Sequence, residues 1–184
     1  MAPIARVSYD GAMGNVESVD FEFLKRCSLF GGLTDPAIEH IRTLMLRQRF
    51  AAGGIILSEG SVNDRIYFIE KGRVEIVKAA PPDGAPTCRH IVDMASGDVF
   101  GEMELIDIQP CEATVRAVEE TVTLSLSNRD LYLVSKFDMK TYALLIMNLA
   151  RDLSRRLRYT DFLLAKGSCG PGPEEAPPKA DRPA

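Results

Sequence analysis

Acidic side chains and a thiol are concentrated in one short stretch of the sequence. Glu102, Glu104, Asp107 and Glu112 carry carboxylates, and Cys111 lies among them. Carboxylate oxygens are ligands that hard cations prefer, so the stretch could hold a metal ion. Clusters of this kind are more often the solvated rim of a loop, and we predict no metal site. The adjacent Glu112 carboxylate disfavours the thiolate form of Cys111, which we interpret as a small neutral residue rather than a redox centre.

Other catalytic chemistry finds little support in the sequence. The two histidines, His40 and His90, have no second histidine at metal-ligand spacing, and no Cys-x-x-Cys pair is present. The sequence also lacks a Gly-x-Ser-x-Gly elbow, a Walker phosphate loop and a protein-kinase motif. We therefore predict that the chain is not an enzyme and that it carries no cofactor.

The elements that position the acidic stretch follow from the spacing of apolar and turn residues. Thr34-Asp35-Pro36 predicts the start of a helix, since a capping residue precedes a proline in the first turn, and this helix continues to about Leu46. Short apolar runs separated by turn residues then predict strands, with Lys71-Gly72 typical of a hairpin turn. The predicted strands lie near residues 55–57, 65–70, 74–77, 88–93, 113–118 and 121–127.

A helical period returns after Ser127. A short helix is predicted to open at Asn128, and a long one runs from about Met139 to Lys166. Its apolar residues recur as a single stripe: Tyr142, Ile146, Leu149, Leu153, Leu157 and Leu164. Four arginines form a basic face that we interpret as solvated rather than as a contact for an acidic partner or membrane surface: Arg151, Arg155, Arg156 and Arg158.

These elements predict an α+β fold. Its centre is an antiparallel β-roll, or jelly roll, flanked by an N-terminal helical segment and C-terminal helices. The composition, with 46% hydrophobic and 26% charged residues in 184, fits one globular domain. We place this domain at residues 19–166, between a flexible N-terminus at residues 1–18 and a disordered proline-rich tail at residues 167–184.

Two consecutive motifs carry a family resemblance. The first is Phe100-Gly101-Glu102-Met103-Glu104-Leu105-Ile106, and the second is Pro110-Cys111-Glu112-Ala113-Thr114-Val115. Together they resemble the phosphate-binding cassette of the cyclic-nucleotide-binding domain family, which includes catabolite-activator-like proteins. That cassette usually reads Phe-Gly-Glu-Leu-Ala-Leu and then Pro-Arg-Ala-Ala-Thr-Val. The turn glycines and strand residues extend the resemblance over roughly residues 20 to 165.

The resemblance implies a ligand pocket with a fixed division of roles. A short helix N-terminus would face the cyclic phosphate, and an arginine would pair with it. By position, Glu102 would accept the ribose 2′-hydroxyl, although it is equally well explained as a residue that caps the cassette backbone. The candidate pocket residues are Gly101, Glu102, Met103, Glu104, Cys111, Glu112, Ala113 and Thr114.

This sequence departs from the family at the phosphate position. Cys111 replaces the arginine, and Glu104 and Glu112 replace small neutral residues. Losing a hydrogen bond to a charged group costs about 1.5–3 kcal/mol. A carboxylate about 5 Å from a phosphate adds a repulsion of about 3 kcal/mol at an effective dielectric constant of ~20. We expect weak binding of cyclic nucleotides, unless both carboxylates point away or a cation such as Arg89 or Arg116 reaches the phosphate.

The functional expectation is a stand-alone regulatory or signalling module that binds cAMP or cGMP weakly or not at all. The alternative is a functional cAMP or cGMP receptor with a non-standard phosphate contact. We also predict a homodimer through the helix at 139–166, and the resemblance leaves room for a partner protein. The net charge of −4 argues against DNA binding. With no signal peptide and no membrane-spanning run, we expect a cytoplasmic location.

Overall fold

The computed structural model describes residues 19–79 and 88–165. The predicted flexible N-terminus (1–18) and proline-rich tail (167–184) lie outside the described residues. The described part has an α+β fold built on antiparallel sheets, as the sequence predicted.

Three short helical segments open the described chain. They are α1 (Phe21–Arg26), a 3₁₀ turn (Ser28–Phe30) and α2 (Asp35–Leu44). The Asp20 side chain accepts a hydrogen bond from the Glu22 amide at 2.9 Å and so caps α1. Helix α2 begins after Thr34, with its proline in the first turn, as predicted. It ends at Leu44 rather than at Leu46, where the first strand already begins.

Eight strands form two four-stranded antiparallel sheets. The first sheet has the order β1-β8-β3-β6, and the second has the order β2-β7-β4-β5. The short strand β6, which pairs with β3, was not among the predicted strands. The strands are β1 (Leu46–Phe50), β2 (Ile55–Leu57), β3 (Arg65–Lys71), β4 (Arg73–Ala79), β5 (Cys88–Ala95), β6 (Val99–Phe100), β7 (Thr114–Ala117) and β8 (Thr121–Ser127).

Strand β3 is buried on both faces because it separates two apolar cores. Ile66 and Phe68 belong to the core shared with the helices, where the ring centroid of Phe68 lies 5.3 Å from that of Phe30. Tyr67 and Ile69 point to the opposite face, into the interior between the sheets. This second core, the roll interior, also contains Met94, Phe100, Cys111 and Val115.

Three further helices complete the fold. Helix α3 (Glu102–Asp107) follows β6, whereas α4 (Asn128–Phe137) and α5 (Met139–Ala165) follow β8. Ser127 and Asp130 form a capping box at the start of α4. The Asn148 amide of α5 donates at 2.9 Å to the carbonyls of Leu29 and Gly31, which fixes α5 to the 3₁₀ turn.

The apolar residues of α5 do not form the single stripe that the sequence predicted. Leu149 is buried in the core shared with the helices, together with Leu145. Leu157 and Leu164 are exposed instead. Leu163, on the same part of the helix, is buried, so the later turns have both a buried and an exposed side. Within the described ranges, no helix is long and apolar enough to cross a membrane.

The turn between β3 and β4 provides a test of the fold. Gly72 has a φ of 90°, and a Cβ there would lie 2.5 Å from the Glu120 carbonyl oxygen and 2.7 Å from the Thr121 hydroxyl. We expect Gly72→Ala to lower the free energy of unfolding by more than the roughly 1–2 kcal/mol that a left-handed backbone alone costs an L-residue. Gly53→Ala is the control, because Gly53 has a φ of 80° with open space around it. Equal losses in urea denaturation would contradict the steric argument.

Candidate functional site

The predicted cassette folds as β6, the short helix α3 and a loop that returns to β7. Gly101 makes the turn into α3 with a φ of 75°. A Cβ at this position would lie 2.9 Å from the Arg65 carbonyl oxygen and 2.9 Å from Asn63 Nδ2. The Asn63 amide donates to both the Arg65 and the Gly101 carbonyls, at 2.6 and 3.0 Å. Glycine is therefore required both for the backbone conformation and for the close approach of β3.

The carboxylate of Glu102 is buried beneath helix α5. Only 4% of this residue is exposed, and its Oε1 lies 2.9 Å from Arg156 Nη1. Arg156 also donates to the Val99 carbonyl at 2.5 Å and pairs with Asp152 Oδ2 at 3.0 Å. One guanidinium thus connects the end of β6, the start of α3 and its own helix. The sequence left two interpretations of Glu102 open, and the structure shows this carboxylate in a structural ion pair.

Burial dominates the electrostatics of Glu102. Removal of the carboxylate from water raises the pKa of Glu102, whereas the Arg156 guanidinium and the residue's own backbone amide act in the opposite direction. Asp152 and Glu104 add smaller effects that also raise the pKa of Glu102. The net shift is upward, which means that ionising this carboxylate is harder in the folded protein than in the unfolded chain.

Cys111 and Glu104 meet where the family has its arginine. Cys111 is buried in the roll interior, and its backbone pairs with Gly60 and Ser61 through two hydrogen bonds of 2.8 Å. Burial raises the pKa of the Cys111 thiol, the hydrogen bond from the Ser61 hydroxyl at 3.7 Å lowers it, and the negative charge of Glu104 raises it again, so that the net shift is upward. The thiol is therefore neutral at physiological pH, and a carboxylate is its neighbour.

Glu112 points toward solvent and is paired. Its side chain is 71% exposed, and its Oε2 lies 2.7 Å from Lys78 Nζ. The hydrogen bond and the charge of Lys78 lower the pKa of Glu112. The same partner, followed by a weaker effect of Glu59, raises the pKa of Lys78. Lys78 thus offsets the added negative charge of Glu112 at the edge of the cassette.

The other predicted pocket residues are dispersed. Met103 is exposed on α3, and Ala113 is partly buried. The Thr114 hydroxyl accepts a hydrogen bond from the Glu59 amide at 3.0 Å. Thr114 alternates along β7 with Val115, which faces the roll interior. Thr114 lines a cavity of about 460 Å³, together with Ile55, Glu59, Val77, Ala79 and Arg116.

The two arginines that could have supplied a cation do not lie at Cys111. Arg116 pairs with Glu75 at 2.8 Å and lines the same cavity as Thr114. Arg89 is an exposed residue of β5 opposite Lys78. Among the described residues, no group of three or more metal-ligating side chains could hold a metal ion.

Arg156 and Lys78 are the two charged residues of the site that the sequence did not indicate. Arg156 was predicted to belong to a solvated basic face, and this was wrong because its guanidinium reaches Glu102, 54 positions earlier in the chain. Its spacing of four residues from Asp152 was a visible signal for the pair within α5. Neither this spacing nor any other local pattern indicates Glu102 as a partner.

Comparison with known proteins gives a family for this arrangement. The family model described as "Cyclic nucleotide-binding domain" matches residues 47–135. This range contains both sheets and every predicted pocket residue, but it ends before Arg156. The chain is also 30% identical over 146 residues to a "CRP-like cAMP-activated global transcriptional regulator" of Mycobacterium tuberculosis, covering 78% of this chain and 61% of the relative. It spans between 30% and 62% of the length of the first curated relatives that it matches.

Two solved structures show the same fold. A cyclic nucleotide-binding domain from Methylobacillus flagellatus superposes with a TM-score of 0.72 at 24% identity, covering 85% of this chain and 88% of that one. The regulatory subunit of a cAMP-independent protein kinase A from Trypanosoma cruzi, bound to guanosine, gives a TM-score of 0.63 at 22% identity. That match covers 83% of this chain and 51% of the subunit.

The opposite pKa shifts of two cassette carboxylates predict opposite pH dependences of stability. The raised pKa of Glu102 means that folding takes up a proton there, so wild type should gain stability relative to Glu102→Gln as the pH falls from 7.5 to about 4.5. The lowered pKa of Glu112 means that wild type should lose stability relative to Glu112→Gln as the pH falls toward about 4. Urea denaturation across this range measures both differences. A common sign for the two would contradict the assignment of burial to Glu102 and of pairing to Glu112.

Proposed function

We propose that this chain is a regulatory domain that binds cAMP and cGMP weakly or not at all. The regulatory part of the proposal rests on the match of residues 47–135 to the cyclic nucleotide-binding domain family. The chain acts through self-association or partner contacts rather than through catalysis. The observation that carries the proposal is the neutral, buried Cys111 thiol at the position where the family has its phosphate-binding arginine, with the half-buried Glu104 on the neighbouring helix α3. A cyclic phosphate in the family's pose needs a cation at this point and would meet a negative charge.

The magnitudes favour loss of affinity. A missing charge-assisted hydrogen bond costs about 1.5–3 kcal/mol, which is about one to two powers of ten in the dissociation constant. The half-buried Glu104 adds charge repulsion of the same sign. Lys78, a cation at the edge of the cassette, is already paired with Glu112 at 2.7 Å.

Loss of the phosphate contact is compatible with a ligand of another kind. The structurally similar Trypanosoma cruzi subunit is described as cAMP-independent and is bound to guanosine. This description supports the view that a protein of this fold can bind a ligand that has no phosphate. The alternative for this chain is a cAMP or cGMP receptor in which a cation from another position replaces the missing arginine, and Lys78, which pairs with Glu112 of the cassette, is a candidate.

We also propose that the chain forms a homodimer through α5. Residues 143, 147, 150, 154, 157, 161 and 164 of this helix alternate at spacings of four and three, the repeat of a coiled-coil seam. All seven are exposed, and the three large apolar ones, Met147, Leu157 and Leu164, are exposed by 52%, 63% and 68%. Leu145 and Leu149 pack on the opposite side against the chain's own core. The two faces of α5 thus suit two different contacts.

Restoring the family's charge pattern tests the ligand part of the proposal. We expect no change in melting temperature when wild type is titrated with cAMP or cGMP. The triple variant with Cys111→Arg, Glu104→Ala and Glu112→Ala should gain binding. A ligand at 100 times its dissociation constant adds about 2.7 kcal/mol, or about 5–11 °C for a chain of this size. Cys111→Arg alone is the control that separates the missing cation from the added carboxylates. A melting shift of that size in wild type would show that the charge argument is wrong.

The dimer is tested by a single charge on the exposed seam. We expect wild type to elute with the light-scattering mass of two chains at micromolar concentration, and Leu157→Asp to elute with the mass of one. Ile55→Asp is the matched control, because Ile55 is 58% exposed on β2 and lies away from α5. If wild type is monomeric, or if both variants dissociate equally, the seam on α5 is not the interface.

A further inference from the structure

The loop between β2 and β3 (residues 58–64) lies along the cassette and exposes an apolar side chain there. Its backbone pairs with that of Cys111 through two hydrogen bonds of 2.8 Å. Its Asn63 side chain donates to the carbonyl of Gly101 at 3.0 Å. The loop therefore runs from the last residues of the cassette back to the start of α3. Val62 lies between these two contacts and is 72% exposed.

Helix α3 and the turn after it add three more exposed apolar side chains. Met103 and Ile106 are one helical turn apart, and they are exposed by 53% and 52%. Ile108, which directly follows α3, is 81% exposed. We call these three residues and Val62 the cassette tip. Several large apolar side chains exposed in one region are typical of a contact surface.

The backbone at Ile108 gives a second, independent reason to expect a contact. Ile108 has a φ of 58°, and among the residues that the structure describes it is the only non-glycine residue with a positive φ. This left-handed conformation strains a β-branched residue, whereas asparagine or glycine adopts it more easily. An exposed isoleucine regains little of that cost by packing within its own chain. A contact outside the chain explains the residue better than the stability of the fold does.

The charge around the cassette tip indicates what can cover it. Residues 58–64 and 101–115 contain no lysine or arginine and six carboxylates, namely Glu59, Asp64, Glu102, Glu104, Asp107 and Glu112. Neighbouring cations offset three of them, at Asp64, Glu102 and Glu112. The other three, which include the exposed Asp107, keep the rim of the tip acidic. An anionic membrane or another acidic surface is repelled by this rim, and a cationic surface with an apolar centre complements it.

We propose that the cassette tip is a docking surface for a partner protein that presents an amphipathic helix with an apolar face and lysine or arginine flanks. Such a helix supplies both features at once, because its apolar stripe lies between its charged sides. The stripe covers the exposed side chains of the tip, and the cationic flanks meet the acidic rim. The inference rests on the proposed function, since it names one surface through which the regulatory domain contacts a partner.

Fluorescence anisotropy with the full chain and two labelled synthetic helices tests the proposal. The two helices share one leucine face and differ only in their flanks, which are lysine in one and glutamate in the other. We expect the lysine helix to bind at least about tenfold more tightly than the glutamate helix, with a smaller advantage at high salt.

A matched pair of variants locates the contact. Ile108→Asn should weaken the lysine helix about tenfold, because it removes a buried apolar contact. The same variant should melt no lower than wild type, since asparagine tolerates the left-handed backbone. Val118→Asn is the control and should bind like wild type, because Val118 is an exposed side chain beyond the opposite end of β7.

The outcomes distinguish this proposal from the proposed function. Equal binding of the two helices, or binding of neither, overturns the docking surface. Equal affinity of wild type and Ile108→Asn for the lysine helix overturns it as well. If Ile108→Asn changes the light-scattering mass from two chains to one, a second copy of the chain covers the tip and the proposal is wrong. The titration of wild type with cAMP and cGMP is independent of these results, so the docking surface can fail while the proposed weak ligand binding stands.

Discussion

A buried carboxylate that needs a cation is the constraint that joins the two halves of this structure. Glu102 begins the helix of the cassette, and among the described residues the cation that pairs with it is Arg156 of α5. Removing one partner of such a buried pair typically costs about 3–5 kcal/mol, because the remaining charge is left without compensation. The position of α5 over the roll is therefore coupled to the state of the cassette. Any ligand that engages Glu102 must act on this same contact.

The apolar residues are divided into two cores, and the Glu102–Arg156 pair lies between these cores. The first core fixes the helices to one face of β3 and β8, and the second fills the space between the sheets. Helix α5 takes part only in the first, whereas Cys111 and the β7 residue Val115 belong to the second. The Glu102–Arg156 pair bridges between them at the cassette. A change in the pocket can thus reach α5 through one polar contact, and α5 carries the exposed seam on its other side.

The charge balance of the pocket is set by partners that come from other strands. Two carboxylates were added relative to the family's pattern, but they are not equivalent in space. Glu112 is exposed and pairs with Lys78 of β4 at 2.7 Å, whereas Glu104 is half-buried and its charge raises the pKa of the Cys111 thiol. Relative to the family's pattern, the cassette has lost one positive charge at residue 111 and has a half-buried carboxylate at Glu104. The surrounding fold is retained.

The sequence by itself determined the elements and the family. Turn residues such as Gly72, the capping pattern at Thr34 and the alternating apolar runs are local signals, and they predicted the β-roll with its flanking helices because each acts within a few residues. The replacement of the cassette arginine by Cys111 was equally visible. Only the tertiary structure decided where the charges go: Arg156 is paired with a residue 54 positions away, and Lys78 with one 34 positions away. The apolar stripe of α5 was likewise divided, since Leu149 packs in the core shared with the helices whereas Leu157 and Leu164 are exposed. Ion pairs and packing faces depend on distances through space, which local periodicity does not encode.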